Sequence, residues 1–229
     1  MTDVAALLVT LQLTDSAFPA GFYTLSHGLE GYAQTGSVTP ATLPDLLADL
    51  LRHSVGPADA TALALAHNAV RDGDREALHR VDRRLHATKL NRELRRACTR
   101  TGHQMLAVAR ETFGRPEIER FGEDVAAKRS PGTQPVVTGV VAAACGVDVA
   151  QAVAGDLSAF SASLVGAALR LRLTDHIRAQ RILADAAPVI GEVTAAALRR
   201  DLNDLGGCTP VADVMSAGHE RADARLFVS

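Results

Sequence analysis

The chain has 229 residues, 47% of them hydrophobic, enough to bury a sizeable core and too many for a disordered chain. A formal charge of −2 with an isoelectric point near 6.4 gives no global pull toward nucleic acid or an anionic membrane. Three cysteines, Cys98, Cys145 and Cys208, with no CxxC pair argue against a disulfide framework or zinc ribbon and read as buried free thiols.

No basic region precedes the apolar run that starts at Val4 and stops at Gln12, so a signal peptide is not expected. Val4 to Leu13 reads as a short apolar helix, ended by Thr14-Asp15-Ser16 and a turn at Pro19 to Gly21. The next segment, Phe18 to Tyr32, collects both tyrosines and two of the six phenylalanines of a chain that has no tryptophan. A helical wheel begun near Phe22 sorts it into three faces. Phe22, Leu25, Leu29 and Tyr32 form an apolar stripe, Thr24, Gly28, Gly31 and Thr35 a smooth ridge, and Tyr23, Ser26, His27, Glu30 and Gln34 a polar-aromatic face. Glycine inside a helix costs roughly 1 kcal/mol relative to alanine, so Gly28 and Gly31 are expected to mark close packing on another backbone. The third face is a candidate binding surface. For Glu30 the alternative is a buried, paired carboxylate that only holds elements together.

The segment is expected to stop near Gly36, and Thr39 or Thr42 with Pro40 or Pro44 opens a leucine-rich helix that Gly56-Pro57 breaks. Ala58 to Val70 is a further helix. From Arg71 to Arg100 arginine becomes dense within one or two amphipathic helices, broken near Ala87-Thr88. Arg92, Arg96 and Arg100 align at i, i+4 and i+8, a possible phosphate or nucleic-acid face, whereas the interleaved Asp72, Asp74, Glu76, Asp82 and Glu93 favour a solvated one. Helices follow at Ile118 to Ala127, Val136 to Cys145, Asp148 to Leu171, Ile177 to Ala187 and Val189 to Leu205. The tail from Val211 has Val211, Met215, Ala222 and Leu226 on one face and Arg221 and Arg225 on another; it packs on its own body or docks elsewhere.

No strand alternation is present, so the expected fold class is all-α, a compact single-domain helical bundle over residues 1–229 with 211–229 as a C-terminal tail. The longest weakly polar stretch, Pro135 to Val147, falls short of the roughly 20 residues of a membrane span, and a cytoplasmic protein is expected. The eight histidines form no HExxH or HxxxH pair, and neither a GxxxxGK[ST] loop nor a GxSxG elbow occurs. Ser26 and His27 are adjacent and point about 100° apart on a helix, a poor nucleophile and base. No metal site, nucleotide cradle or enzyme is expected.

Leu11-Gln12-Leu13, Phe18-Pro19-Ala20-Gly21, Tyr23, Ser26 and Gly28-Leu29-Glu30 resemble the N-terminal signature of the UreF family of urease accessory proteins. Arg92-Glu93-Leu94-Arg95 with Gly102, Arg170-Leu171 with Gln180-Arg181-Ile182-Leu183, and His219-Glu220 with Arg225-Leu226-Phe227-Val228-Ser229 continue the resemblance in order. It implies a non-enzymatic, homodimeric chaperone component that joins the UreD-type (UreH-type) accessory protein and recruits the GTPase UreG for nickel insertion into the urease apoenzyme. GTP and nickel would be handled by the partners, with no cofactor of its own.

On the same resemblance, Tyr23, Ser26, Glu30 and Arg170 stand at positions for the GTPase side. His219, Glu220, Arg225, Leu226 and Phe227 stand at positions for the UreD-type side, the tail ordering on that partner. The sequence departs from the family's pattern at Arg172 to Ala179, at Asp223-Ala224 and at Val228. The competing function is an all-α nucleic-acid-binding regulator using Arg71 to Arg100.

Overall fold

The computed structural model describes residues 3–19, 24–219 and 226–227. Among them all regular structure is helical. Asp3 caps α1 (Val4–Thr14) by accepting the Ala5 N–H at 2.9 Å. Ala6 and Leu13 of α1 face inward, while Val4, Leu8 and Leu11 remain exposed.

α2 is short, Leu29–Gln34, and the wheel begun near Phe22 is corrected by it. His27 at φ 55° and Gly28 at φ 83° are consecutive left-handed residues, which an α-helix cannot contain, so the helix starts only after them. Leu25, Leu29 and Tyr32 are nevertheless all buried, because the turn delivers Leu25 to the same core. Gly36, at φ 66°, ends the element, with the Ser37 N–H bonded to the Tyr32 carbonyl at 2.9 Å.

α3 (Leu43–Leu50) runs without interruption through a π-helical stretch, Leu51–Ala60, into α4 (Thr61–Asp72). A break at Gly56-Pro57 was expected; the wider π turn instead carries the chain past Pro57, which has no N–H to donate. Gly56 is required here, since a Cβ would lie 2.5 Å from the Leu51 carbonyl. Asp74 and Asn91 then cap α5 (Arg75–Thr88) and α6 (Arg92–Phe113) through side-chain bonds to Ala77 and to Glu93 and Leu94.

α7 (Pro116–Ala126) leads to α8 (Gln134–Ala144), which is buried continuously from Gln134 to Ala142 and forms the axis of the bundle. α4 approaches it so closely that a Cβ on Gly139 would sit 2.6 Å from the Leu63 carbonyl. α9 (Val149–Arg170), capped by Asp148, packs against α1, α4 and α8 and against α10 (His176–Asp185) and α11 (Ala187–Ala197). Among the described residues α9, not the stretch at 135–147, is the helix long and apolar enough to cross a membrane; its apolar side chains Leu157, Leu164 and Val165 are buried in the bundle. α11 ends eight residues before the expected Leu205, because Asp201 accepts the N–H groups of Asn203 and Asp204 and stabilises a turn in place of helix. α12 (Pro210–His219) closes the described fold against α2 and α6.

One acidic residue in the arginine-rich region, Asp82, differs in fate from the solvated face expected for it. Asp82 is fully buried and accepts from Ser130 Oγ, the Gly132 and Thr133 N–H groups and Thr133 Oγ1, tying the 130–133 loop to α5. Asn91, between the two helices, is buried as a cap. The cysteines are free, but Cys208 is exposed and Cys98 and Cys145 are half-buried, a correction to the fully buried thiols expected.

Candidate functional site

The turn before α2 and the chain terminus meet at one place. Glu30 lies in the first turn of α2 and is buried at 3% exposure. Its two carboxylate oxygens accept the backbone N–H groups of Leu226 and Phe227, at 2.8 and 3.1 Å. The Phe227 ring is buried, and the guanidinium carbon of Arg170 stands 4.3 Å from its centroid. Arg170 reaches there from the last turn of α9 while its Nε also donates to the Gly166 carbonyl at 3.2 Å.

Glu30 and Arg170, expected on one partner's side, are therefore brought together with Phe227, expected on the other's. Ser26 is fully buried, so among the residues of the polar-aromatic face it offers no open surface. Leu226 points outward at 72% exposure and Val211 at 58%, so the tail's inward apolar group is Phe227, with Met215 on the α12 side. Tyr23, Glu220 and Arg225 lie outside the described residues, as does the side chain of His219.

The two glycines do different work. Gly31 lets α2 touch α12, since a Cβ on it would run into the Met215 carbonyl. Gly28 has only ordinary contact room, its nearest neighbour being Ser216 Cβ at 3.8 Å, and its requirement is the left-handed backbone. Thr35 adds a second link, donating to the Gly31 and Tyr32 carbonyls and lying 3.6 Å from Met215 Sδ.

His27 turns inward from its strained position. Its Nε2 pairs with Ser163 Oγ at 2.9 Å, and its ring meets Phe160 edge-on at 4.7 Å. Burial, reinforced by the positive charges of Lys89 and Arg170, lowers its pKa to about 4, so the imidazole is neutral at physiological pH. Neutral His27 thus ties the turn to α9 through Ser163 and Phe160.

Elsewhere, residues that the sequence pattern did not single out form tight clusters. Asp124, 1% exposed at its side chain, accepts from Arg75, His79 and Arg129, joining α5, α7 and the following loop. Burial alone would raise its pKa, but those hydrogen bonds hold it well below the carboxylate range. Arg83 donates to the Arg129 carbonyl and Arg95 to the Lys89 and Leu90 carbonyls, so these arginines of the basic stretch are used within the fold. The one available signal was the density of charge there; Arg75 and His79 lie 49 and 45 residues from Asp124, and Asp82 lies 50 residues from Gly132, so these pairings leave no local trace. Among the described residues no group of three or more His, Cys, Asp or Glu side chains is arranged to hold a metal ion.

Comparison with known proteins puts these residues in a family. The UreF family model matches residues 38–187, well over half the chain. The urease accessory protein UreF of Trichodesmium erythraeum (strain IMS101) is 33% identical over 234 residues, covering 100% of this chain and 99% of its own length. That of Rhodopseudomonas palustris (strain BisB18) is 35% identical over 99% of this chain and 93% of its own. That of Yersinia pestis (strain Pestoides F) is 31% identical over 98% and 99%. The relatives thus span both the Glu30 turn and the terminal segment that the family model leaves out, and the chain belongs to the UreF family of urease accessory proteins.

Proposed function

We propose that this chain serves urease maturation as a non-enzymatic scaffold that joins the UreD-type accessory protein to the GTPase UreG. In this role it positions the two partners for nickel insertion into the urease apoenzyme, works as a homodimer in the cytoplasm, and leaves GTP and nickel to the partner proteins. The observation that carries the reading is the junction of Glu30, Arg170 and Phe227. A residue set expected to meet the GTPase and one expected to meet the UreD-type protein share hydrogen bonds and a ring contact. A scaffold with its two docking regions in contact can make one partner's binding felt by the other, because ordering the tail also orders Glu30 and Arg170.

The physical roles divide accordingly. Glu30 holds the tail backbone, Arg170 covers the Phe227 ring, and Gly31 keeps α12 close enough for the tail to return to α2. Exposed Leu226, beside the clamp, and exposed Val211 and Val214 of α12 are apolar side chains of the described tail available to a partner.

Co-purification with UreD-type and UreG proteins, with and without GTP and nickel, tests the proposal. Removing residues 225–229 is expected to abolish UreD-type capture, and Arg170→Ala to weaken capture of UreG. Phe227→Ala should impair both. Unchanged capture of both partners by all three variants would overturn the scaffold reading. Light scattering of the purified chain tests the dimer.

A further inference from the structure

Beside His27, which lines it, the bundle forms a partly open chamber of about 130 Å³, walled by the π-helical stretch, α6, α8, α9 and α12. Its lining combines apolar side chains, Leu50, Leu94 and Phe160, with the ionisable Asp59, Lys89, Asp156 and Asp213. Lys89 Nζ donates to both oxygens of Asp59, at 2.6 and 2.7 Å, so that pair is already neutral. Asp156 Oδ1 accepts from the Gln134 amide, Nε2 at 2.8 Å, and the carboxyl is also hydrogen-bonded by the Thr138 hydroxyl, so both of these donors are uncharged. Among the described residues no cationic side chain forms an ion pair with Asp156 or Asp213. The chamber thus holds two carboxyl groups beyond what its lysine neutralises.

A second and independent feature lies in the same wall. Ser216 of α12 is 1% exposed, and its Oγ has no hydrogen-bond partner among the described residues. A buried hydroxyl in that position is unfavourable unless something in the chamber meets it. The scaffold function uses none of these groups.

We propose that the chamber is a binding site for a small organic ammonium ion. The Asp156 and Asp213 carboxylates take its charge, Ser216 Oγ accepts one of its N–H bonds, and its carbon skeleton lies against Leu50, Leu94 and Phe160. Burial pushes the Asp156 carboxyl up to about 6 and raises that of Asp213 despite the pull of Lys89, the response of acids held without a sufficient countercharge. The apolar wall selects an alkylammonium over a hydrated inorganic ion, and no three-ligand group is present among the described residues for a metal. A cavity of this volume takes a ligand of about benzene size, roughly six heavy atoms.

Titration of the full chain at pH 7.5 with n-butylammonium chloride, 1-butanol and ammonium chloride tests the assignment. Calorimetry and methyl chemical shifts of Leu50 and Leu94 are the readouts. Saturable one-site binding of butylammonium is expected, at least tenfold tighter than butanol or ammonium and weakened at least tenfold by Asp156→Asn. If that variant does not fold, Asp213→Asn on the outer helix carries the same expectation. Equal binding of butanol and butylammonium would reduce the site to an apolar cavity and overturn the proposal. So would tighter binding of ammonium, or the absence of any saturable response, which would leave a chamber for water alone.

Discussion

Glu30 and Phe227, separated by 197 positions in the chain, are joined by a hydrogen bond of 3.1 Å from the Phe227 backbone N–H to Glu30 Oε2. The neighbouring bond from the Leu226 N–H to Oε1 makes Glu30 a clamp on main chain, so the grip is independent of the tail's side-chain identities.

Glu30→Ala leaves two tail N–H groups without their acceptor. Hydrogen bonds to charged groups contribute about 1.5–3 kcal/mol each, so the tail should detach locally before the bundle melts. Hydrogen exchange at Leu226 and Phe227 is expected to accelerate by at least tenfold, with Glu30→Gln intermediate because one oxygen acceptor remains. Unchanged protection in the alanine variant would show that the clamp does not hold the tail.

Gly31→Ala and Gly166→Ala separate close packing from helix propensity. At Gly31 the new methyl meets the Met215 backbone, which cannot swing aside as a side chain does, and a loss of about 1–3 kcal/mol is expected. At Gly166, inside α9, nothing lies within 4 Å, and a gain of about 0.5–1 kcal/mol is expected. Urea denaturation of the two variants should move in opposite directions.

Asp124→Asn removes the charge that Arg75, His79 and Arg129 share, and about 3 kcal/mol of stability should go with it. The folded carboxyl titrates below its ordinary value of 3.8, so its contribution is complete above that pH and is lost as pH falls toward the folded value. Acid denaturation followed by circular dichroism should therefore begin at higher pH in the asparagine variant.

His27 and Asp156 act in opposite directions across nearly the same pH window. The unfolded histidine binds a proton below 6.5 and the folded one only below about 4, so its effect makes stability rise with pH between those values. The folded Asp156 keeps its proton to about 6 and the unfolded one only to 3.8, so its effect makes stability fall as pH rises through that interval. Each slope is at most about 1.4 kcal/mol per pH unit, and together they leave a shallow profile. Asp156→Asn should unmask a rising profile, and His27→Asn, tolerated at a left-handed position, a falling one. Denaturant midpoints from pH 4 to 7 would check both; two profiles parallel to the parent's would refute the assignment.

Much of the secondary structure was legible because its causes are local. The apolar run of α8, the Asp148 cap and small-residue pattern of α9, and the division between α5 and α6 near Ala87-Thr88 follow from side chains within a few positions of each other. The start of α2 differs from the helical wheel because His27 and Gly28 are both left-handed, and the contacts of His27 with Ser163 and Phe160 on α9 have no local sequence signal.

By itself the sequence determined an all-helical chain, most of its helix boundaries, its UreF-family membership and the segments, Phe18 to Tyr32 and the tail, in which the family's signature residues fall. Only the tertiary structure decided that Glu30 is buried against the tail, that Arg170 covers Phe227, that Asp82 and Asp124 are buried hubs, and that Asp156 and Asp213 share a chamber. The physical reason is one of range. Helix propensity, caps and apolar period act over a few residues, whereas the burial and pairing of a charge depend on which distant elements the packed core brings against it.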